Sequence, residues 1–230
     1  MGKGRDLHGQ AEAAREQGNF SDALTFAHQA LIAYQQERDV FGFCDALSSG
    51  VITFKHLHAK TQDTSFLILA KHIALAAVEI ARQNSDTSVA MMPLMSLGRI
   101  QDATELYADA AASYEEAVNI MQKNPPHEHN RPAVLADMKV HMEVAKLRAG
   151  DSTAYDRTMS AITELEATDE DAYNKDVWRS GAHMKLAEAL VHADRQKATS
   201  HLQKAKEIID ANHHLTIRKE QWEKLAQSFQ

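Results

Sequence analysis

A single cysteine, Cys44, stands in 230 residues, so no disulfide can form within the chain, and nothing in the design profits from an oxidising compartment. Proline (4) and glycine (9) are scarce and aromatics make up only 6% of the chain, a balance that favours helix over sheet. Basic charge is not in excess: 25 Lys+Arg against 32 Asp+Glu leave a formal charge of −7, without the basic footprint that nucleic acid requires of a partner. Long hydrophobic runs are missing too. The most apolar stretch, FLILAKHIALAAVEIA from Phe66, is broken by Lys71, His72 and Glu79, so no membrane span is expected. The start, MGKGRDLHGQAEAA, has basic residues with no apolar run behind them, and Asp6 stands where a myristoylation signal needs Ser or Thr. The expectation is a soluble, cytoplasmic protein with neither a membrane nor a nucleic acid as partner.

Catalytic motifs are equally sparse. GKG at 2–4 follows no strand, and neither a P-loop nor a Gly-x-Ser-x-Gly elbow occurs. Cys44 lies in FGFCDALSSGV, apolar on most sides, and reads as a buried thiol acting as a small hydrophobe. Thirteen histidines invite a metal reading, but no two stand three or four apart, the spacing that sets two ligands on one helical face. No cofactor or metal is expected. Near pH 6.5 about half of these histidines would be charged, roughly cancelling the formal charge of −7 and favouring association there.

What the chain does have is helical periodicity. Apolar patterns of period 3.6 follow one another, separated by QGN at 17, ERD at 37, TQDTS at 61, QNSDTS at 83, KNPPHEHNRP at 123, AGDS at 149, ATDEDAYNKD at 167 and DANHH at 210. The fold class is all-α. Gly18 and Gly150 are placed to end helices with positive φ, Pro93 fits a first turn, and Ser and Thr near 21, 64, 88 and 153 are expected to cap.

Self-similarity goes further. GNFSDALTFAHQAL (18–31) sets Ala23, Ala27 and Ala30 on one helical face behind a turn and an aromatic. ELYADAAASYEEAV (105–118) repeats this with Tyr107, Ala110, Tyr114 and Ala117. Weaker copies carry Ala70, Ala154 and Ala198. Ala23, Ala70, Ala110, Ala154 and Ala198 are separated by 47, 40, 44 and 44 residues, each marking a point where a second helix crosses a first too closely for a larger side chain.

These units resemble tetratricopeptide repeats, the third most of all, with Leu97-Gly98 in its first helix and Pro125 after its second. The intervals exceed the usual 34 residues and resemble the longer-helix subgroup of kinesin light chains and bacterial peptide receptors. HEAT and armadillo repeats share that length but lack the Gly-Asn-Phe and Leu-Gly signatures. The resemblance implies a right-handed superhelical α-solenoid of antiparallel helix pairs, read as one repeat domain over 1–230. Its units fall at about 4–37, 39–84, 91–124, 132–167 and 174–212, with a capping helix over 215–229 that sets Trp222, Leu225 and Phe229 on one face.

It also implies a non-enzymatic scaffold that holds a protein or peptide, of unspecified identity, in a groove lined by first helices. The matching groove positions are Arg5, His8, Glu12 and Arg15 in unit one, and Met92, Met95, Arg99 and Asp102 in unit three. In unit four they are Lys139, Glu143 and Lys146, and in unit five Ser180 and His183; unit two is too irregular to place. The chaperone-type two-carboxylate clamp is absent, since His8 and Glu12 stand where it needs Lys and Asn. Met91, Met92 and Met95 read either as packing between units or as ligand contacts. A ligand-responsive sensor acting in trans is the first alternative, a metal-dependent enzyme the second.

Overall fold

A computed structural model describes residues 2–229, and the order of the sequence signals reappears as eleven helices with no strand among the described residues. They are α1 (Lys3–Glu16), α2 (Phe20–Glu37), α3 (Val40–Thr61), α4 (Ser65–Arg82), α5 (Met91–Ala103), α6 (Tyr107–Lys123), α7 (Pro132–Arg148), α8 (Ala154–Glu166), α9 (Ala172–Leu190), α10 (Arg195–Ala211) and α11 (Thr216–Gln227). A 3₁₀ turn, Thr87–Ala90, leads into α5 and leaves Pro93 in that helix's first turn.

Gly18 and Gly150 take φ of 76° and 105°, and the residue after each donates its amide back into the preceding helix: Asn19 to the Ala14 carbonyl, Asp151 to that of Lys146. This satisfies carbonyls that a helix end leaves open. Glu105 does the same job between α5 and α6 at φ 62° without being glycine.

The expected Ser and Thr caps at 21, 64, 88 and 153 are not formed. Aspartates cap instead: Asp39 accepts from the Gly42 amide, Asp171 from Tyr173 and Asn174, and Asp194 from Lys197. Asp63, Asp86 and Asp151 each accept the amide two residues on, at Ser65, Ser88 and Thr153. A carboxylate reaches those amides with a full charge, which a hydroxyl lacks. Backbone bonding holds the Asp63 and Asp86 carboxyls below their usual range. Thr153 and Arg157 bring Asp151 to about 2.

The helices pack as consecutive antiparallel pairs, and all five marker alanines, Ala23, Ala70, Ala110, Ala154 and Ala198, are 0% exposed. A second alanine seven residues on, at 30, 77, 117, 161 and 205, is buried with each. Small side chains on one face let two helices approach closely, and large ones fill what remains. Tyr114 lies so close to Gly98 that a Cβ there would be 2.6 Å from its ring. Tyr34 likewise sits against Gly4 and Gly42. The Leu-Gly signature thus records the room taken by an aromatic on the paired helix.

The chain divides into two compact units, Met1–Glu128 and His129–Gln230. In the first, α1 packs on α3 and α3 on α5, so the three first helices form a layer beside their partners. Cys44 is fully buried there; burial, with Asp45 beside it, pushes its thiol up to about 11, which removes it as a nucleophile. In the second unit, Val140, Val144, Ala161, Ile162, Ala182 and Leu186 form the core between α7, α8 and α9. Helix α11 covers α9 and α10 as a half-polar lid: the Trp222 indole donates to the Leu202 carbonyl at 2.9 Å, Arg218 donates to that of Val177 at 3.1 Å, and no residue of α11 is fully buried.

Candidate peptide-binding face

In the first unit the predicted positions lie on α1 and α5. Arg5 is exposed and donates to Glu128 at 2.9 Å. Arg15, 7% exposed, turns toward α3, where it donates to Ser49 Oγ at 2.7 Å; exposed Glu12 stands 3.8 Å from it. His8 is buried edge-on to Tyr34, its Nδ1 3.9 Å from Asp45 and its Nε2 without a hydrogen-bond partner.

On α5, Met92 and Arg99 are half-buried, one face of the helix apart by two turns. Met95 is 1% exposed and Asp102 is buried with it, so both belong to the interior rather than to a surface open to ligand. Arg99 is the unusual member: its Nη1 is closed off from solvent and has no hydrogen-bond acceptor. A guanidinium donor left so is costly, by about 1–3 kcal/mol, unless an anion reaches it.

The second unit treats its candidates differently. Lys139 donates to Glu164 at 2.7 Å, and Glu143, 6% exposed, accepts from Arg157 at 2.7 Å with Lys146 at 3.9 Å. Both partners come from α8, so these charges tie a first helix to its own second helix. His183 is 4% exposed and Ser180 fully buried, Ser180 bonding to the Asp176 carbonyl of its own helix. In Lys139, Glu143, Lys146 and His183 the polar groups are thus already paired within the unit.

His183 meets His201 of α10, the two Nδ1 atoms 3.1 Å apart, and the Tyr155 hydroxyl stands 3.2 Å from the other nitrogen of His201. Burial holds both imidazoles down to about 4, His183 further disfavoured by His201 and His201 by Lys204. These two therefore stay neutral at pH 6.5, and the expected offset of net charge there is smaller by their share. Among the described residues no group of three or more His, Cys, Asp or Glu is placed to hold a metal ion.

Asp45 and Ser49 of α3 complete the first-helix layer and were unassigned from the sequence. The signal for them is the run Asp45-Ala-Leu-Ser48-Ser49-Gly50, small and polar at helical spacing, with Ser48 accepting through its carbonyl from Ser96 of α5 at 3.5 Å.

No family model matches the sequence, and no curated protein matches it. Solved structures do. A kinesin light chain from Podosopora anserina with nearly identical TPR-like repeats aligns over 89% of this chain and 93% of its own, at 16% identity and a TM-score of 0.56. BtubC (BKLC) from P. vanneervenii aligns over 87% and 77%, at 18% identity and 0.55. A Rap protein complexed with Competence and Sporulation Factor aligns over 99% of this chain at 16% identity and 0.60, the chain spanning 64% of its length. The fold is that of TPR-like repeat proteins. The repeat of about 44 residues is thus a TPR-like helix pair with lengthened helices. Among the described residues no helix of this TPR-like chain is long and apolar enough to cross a membrane.

Proposed function

We propose that the chain is a non-enzymatic, cytoplasmic scaffold that binds a protein or peptide segment on the first-helix layer of its first unit, without cofactor, nucleic acid or membrane. The observation that carries this reading is Arg99. It is a half-buried cation with an enclosed, unsatisfied nitrogen on the same helix face as Met92, in a fold whose first helices stand side by side. An extended segment with a carboxylate beside an apolar anchor supplies what that face lacks, the acid to Arg99 and the anchor to the adaptable thioether. Arg5 and Glu12 are exposed on α1 and extend the same polar surface.

Affinity capture from the native cytoplasm tests it. Wild type retains a defined partner, and Arg99→Glu loses it with unchanged helical content and melting temperature. Capture indifferent to Arg99→Glu refutes the assignment. A sensor role is the second reading, favoured by the likeness to the Rap protein complexed with Competence and Sporulation Factor. It requires the captured partner or peptide to alter the chain's dimensions in solution scattering.

A further inference from the structure

The second helices of the repeats turn one side outward, and four of the five do so mainly with polar residues, Ile32 on α2 being the one exposed large apolar residue described among them. Helix α2 exposes Thr25, His28 and Gln29, α6 exposes Glu115, Glu116 and Asn119, and α8 and α10 are polar in the same way. Helix α4 is the exception. Ile68 (58%), Leu69 (47%) and Leu75 (44%) are exposed on it, three of the six exposed large hydrophobic residues among those described, and Ala76 lies beside them. Single exposed apolar residues are ordinary, but a stripe of them on one helix marks an interaction surface.

The charges on this stripe say what covers it. Lys71 stands four residues before Leu75 and Glu79 four residues after it, with His72 next to Lys71. Lys71 and His72 have no partner among the described residues. A two-fold axis through Leu75 that runs α4 antiparallel to itself brings Lys71 and His72 of each copy to Glu79 of the other, whereas a parallel arrangement opposes like to like. The same axis sets Leu75 against Leu75 and Ile68 against Arg82 of the other copy. Arg82 is prepared for that contact: its guanidinium is held by Glu116 at 2.9 and 3.1 Å, which leaves its aliphatic stem as the surface offered. The geometry points to a second copy of this chain as the occupant of the α4 face, in an isologous antiparallel dimer centred on Leu75. One helix per copy is a small interface, below about 1,200 Å² in total, so the dimer forms and dissociates with concentration.

Sedimentation velocity over a concentration series and cysteine cross-linking test this together. Because Cys44 is buried, Leu75→Cys introduces the accessible thiol, and at the axis two such thiols meet and give a non-reducible-by-dilution dimer on mild oxidation. Ile68→Cys places its thiols about 20 Å apart at 1.5 Å per residue and does not cross-link. Glu79→Lys weakens association roughly tenfold or more, and Lys71→Glu added to it restores association by exchanging the charges. Arg99→Glu leaves the dimer intact. A monomer at every concentration, cross-linking at Ile68→Cys as efficient as at Leu75→Cys, or no rescue by the charge exchange overturns the proposal.

Discussion

The two units use the same helix pair but spend their first-helix charges in opposite ways. In the second, Lys139 and Glu143 reach across to Glu164 and Arg157 on α8, so electrostatics serves the pair itself. In the first, Arg99 has an enclosed nitrogen with no acceptor, and Glu12 lies out in solvent. A shared backbone plan therefore does not pair its charges evenly along the repeats; what decides is whether the neighbouring second helix carries the complementary charge.

The comparison can be broken first at its common foundation. Ala110→Glu forces bulk and charge into a 0% exposed crossing point and should cost roughly 3 kcal/mol or more, read by denaturant unfolding, and Ala154→Glu should do the same in the other unit. Exposed Glu116→Ala should change stability by less than about 1 kcal/mol, because a surface ion pair with Arg82 contributes little.

Acid should then separate the units. His183 and His201 are neutral in the folded state with values near 4, below the ordinary 6.5, so the unfolded chain binds more protons between those limits. Stability is fully present above pH 6.5 and is lost as pH falls toward 4, by about 3 kcal/mol for the first imidazole to charge. Hydrogen exchange at pH 7 and pH 5 should show α9 and α10 losing protection while α1 and α2 keep theirs. His201→Gln should flatten that dependence.

Smaller effects sharpen the local reading. Gly98→Ala drives a methyl group against the Tyr114 ring and should lower stability by about 2 kcal/mol, by the overpacking that buried aromatics impose. Glu105→Gly should raise it by up to about 1 kcal/mol by relieving a positive φ, against a loss of similar size for Gly18→Ala, where space is free and only φ objects.

Much of the fold was legible because its signals are local. Gly18 and Gly150 announce their turns, and the alanines recur at a period that only close helix crossing explains. Arg38 and Glu105 hid two further turns of the same kind, since nothing in the chemistry of either advertises a left-handed backbone. The caps were misassigned because aspartates take the turn amides, Asp63 from Ser65 and Asp151 from Thr153, and the Thr153 hydroxyl itself donates to Asp151 instead of accepting from its helix. The site was less legible for a different reason. Sequence spacing names which first-helix residues share a face, but the partners of Lys139 and Glu143 lie 25 and 14 residues away on another helix. His183 and His201, 18 residues apart on two helices, meet in a way that no rule about spacing within one helix detects.

The most direct measurement is quantitative capture of the native partner by three proteins side by side: wild type, Arg99→Glu and Lys139→Glu. Loss of the partner with Arg99→Glu and its retention with Lys139→Glu, both folded, is the result expected of a binding face confined to the first unit. Retention with Arg99→Glu, or loss with Lys139→Glu, would contradict it.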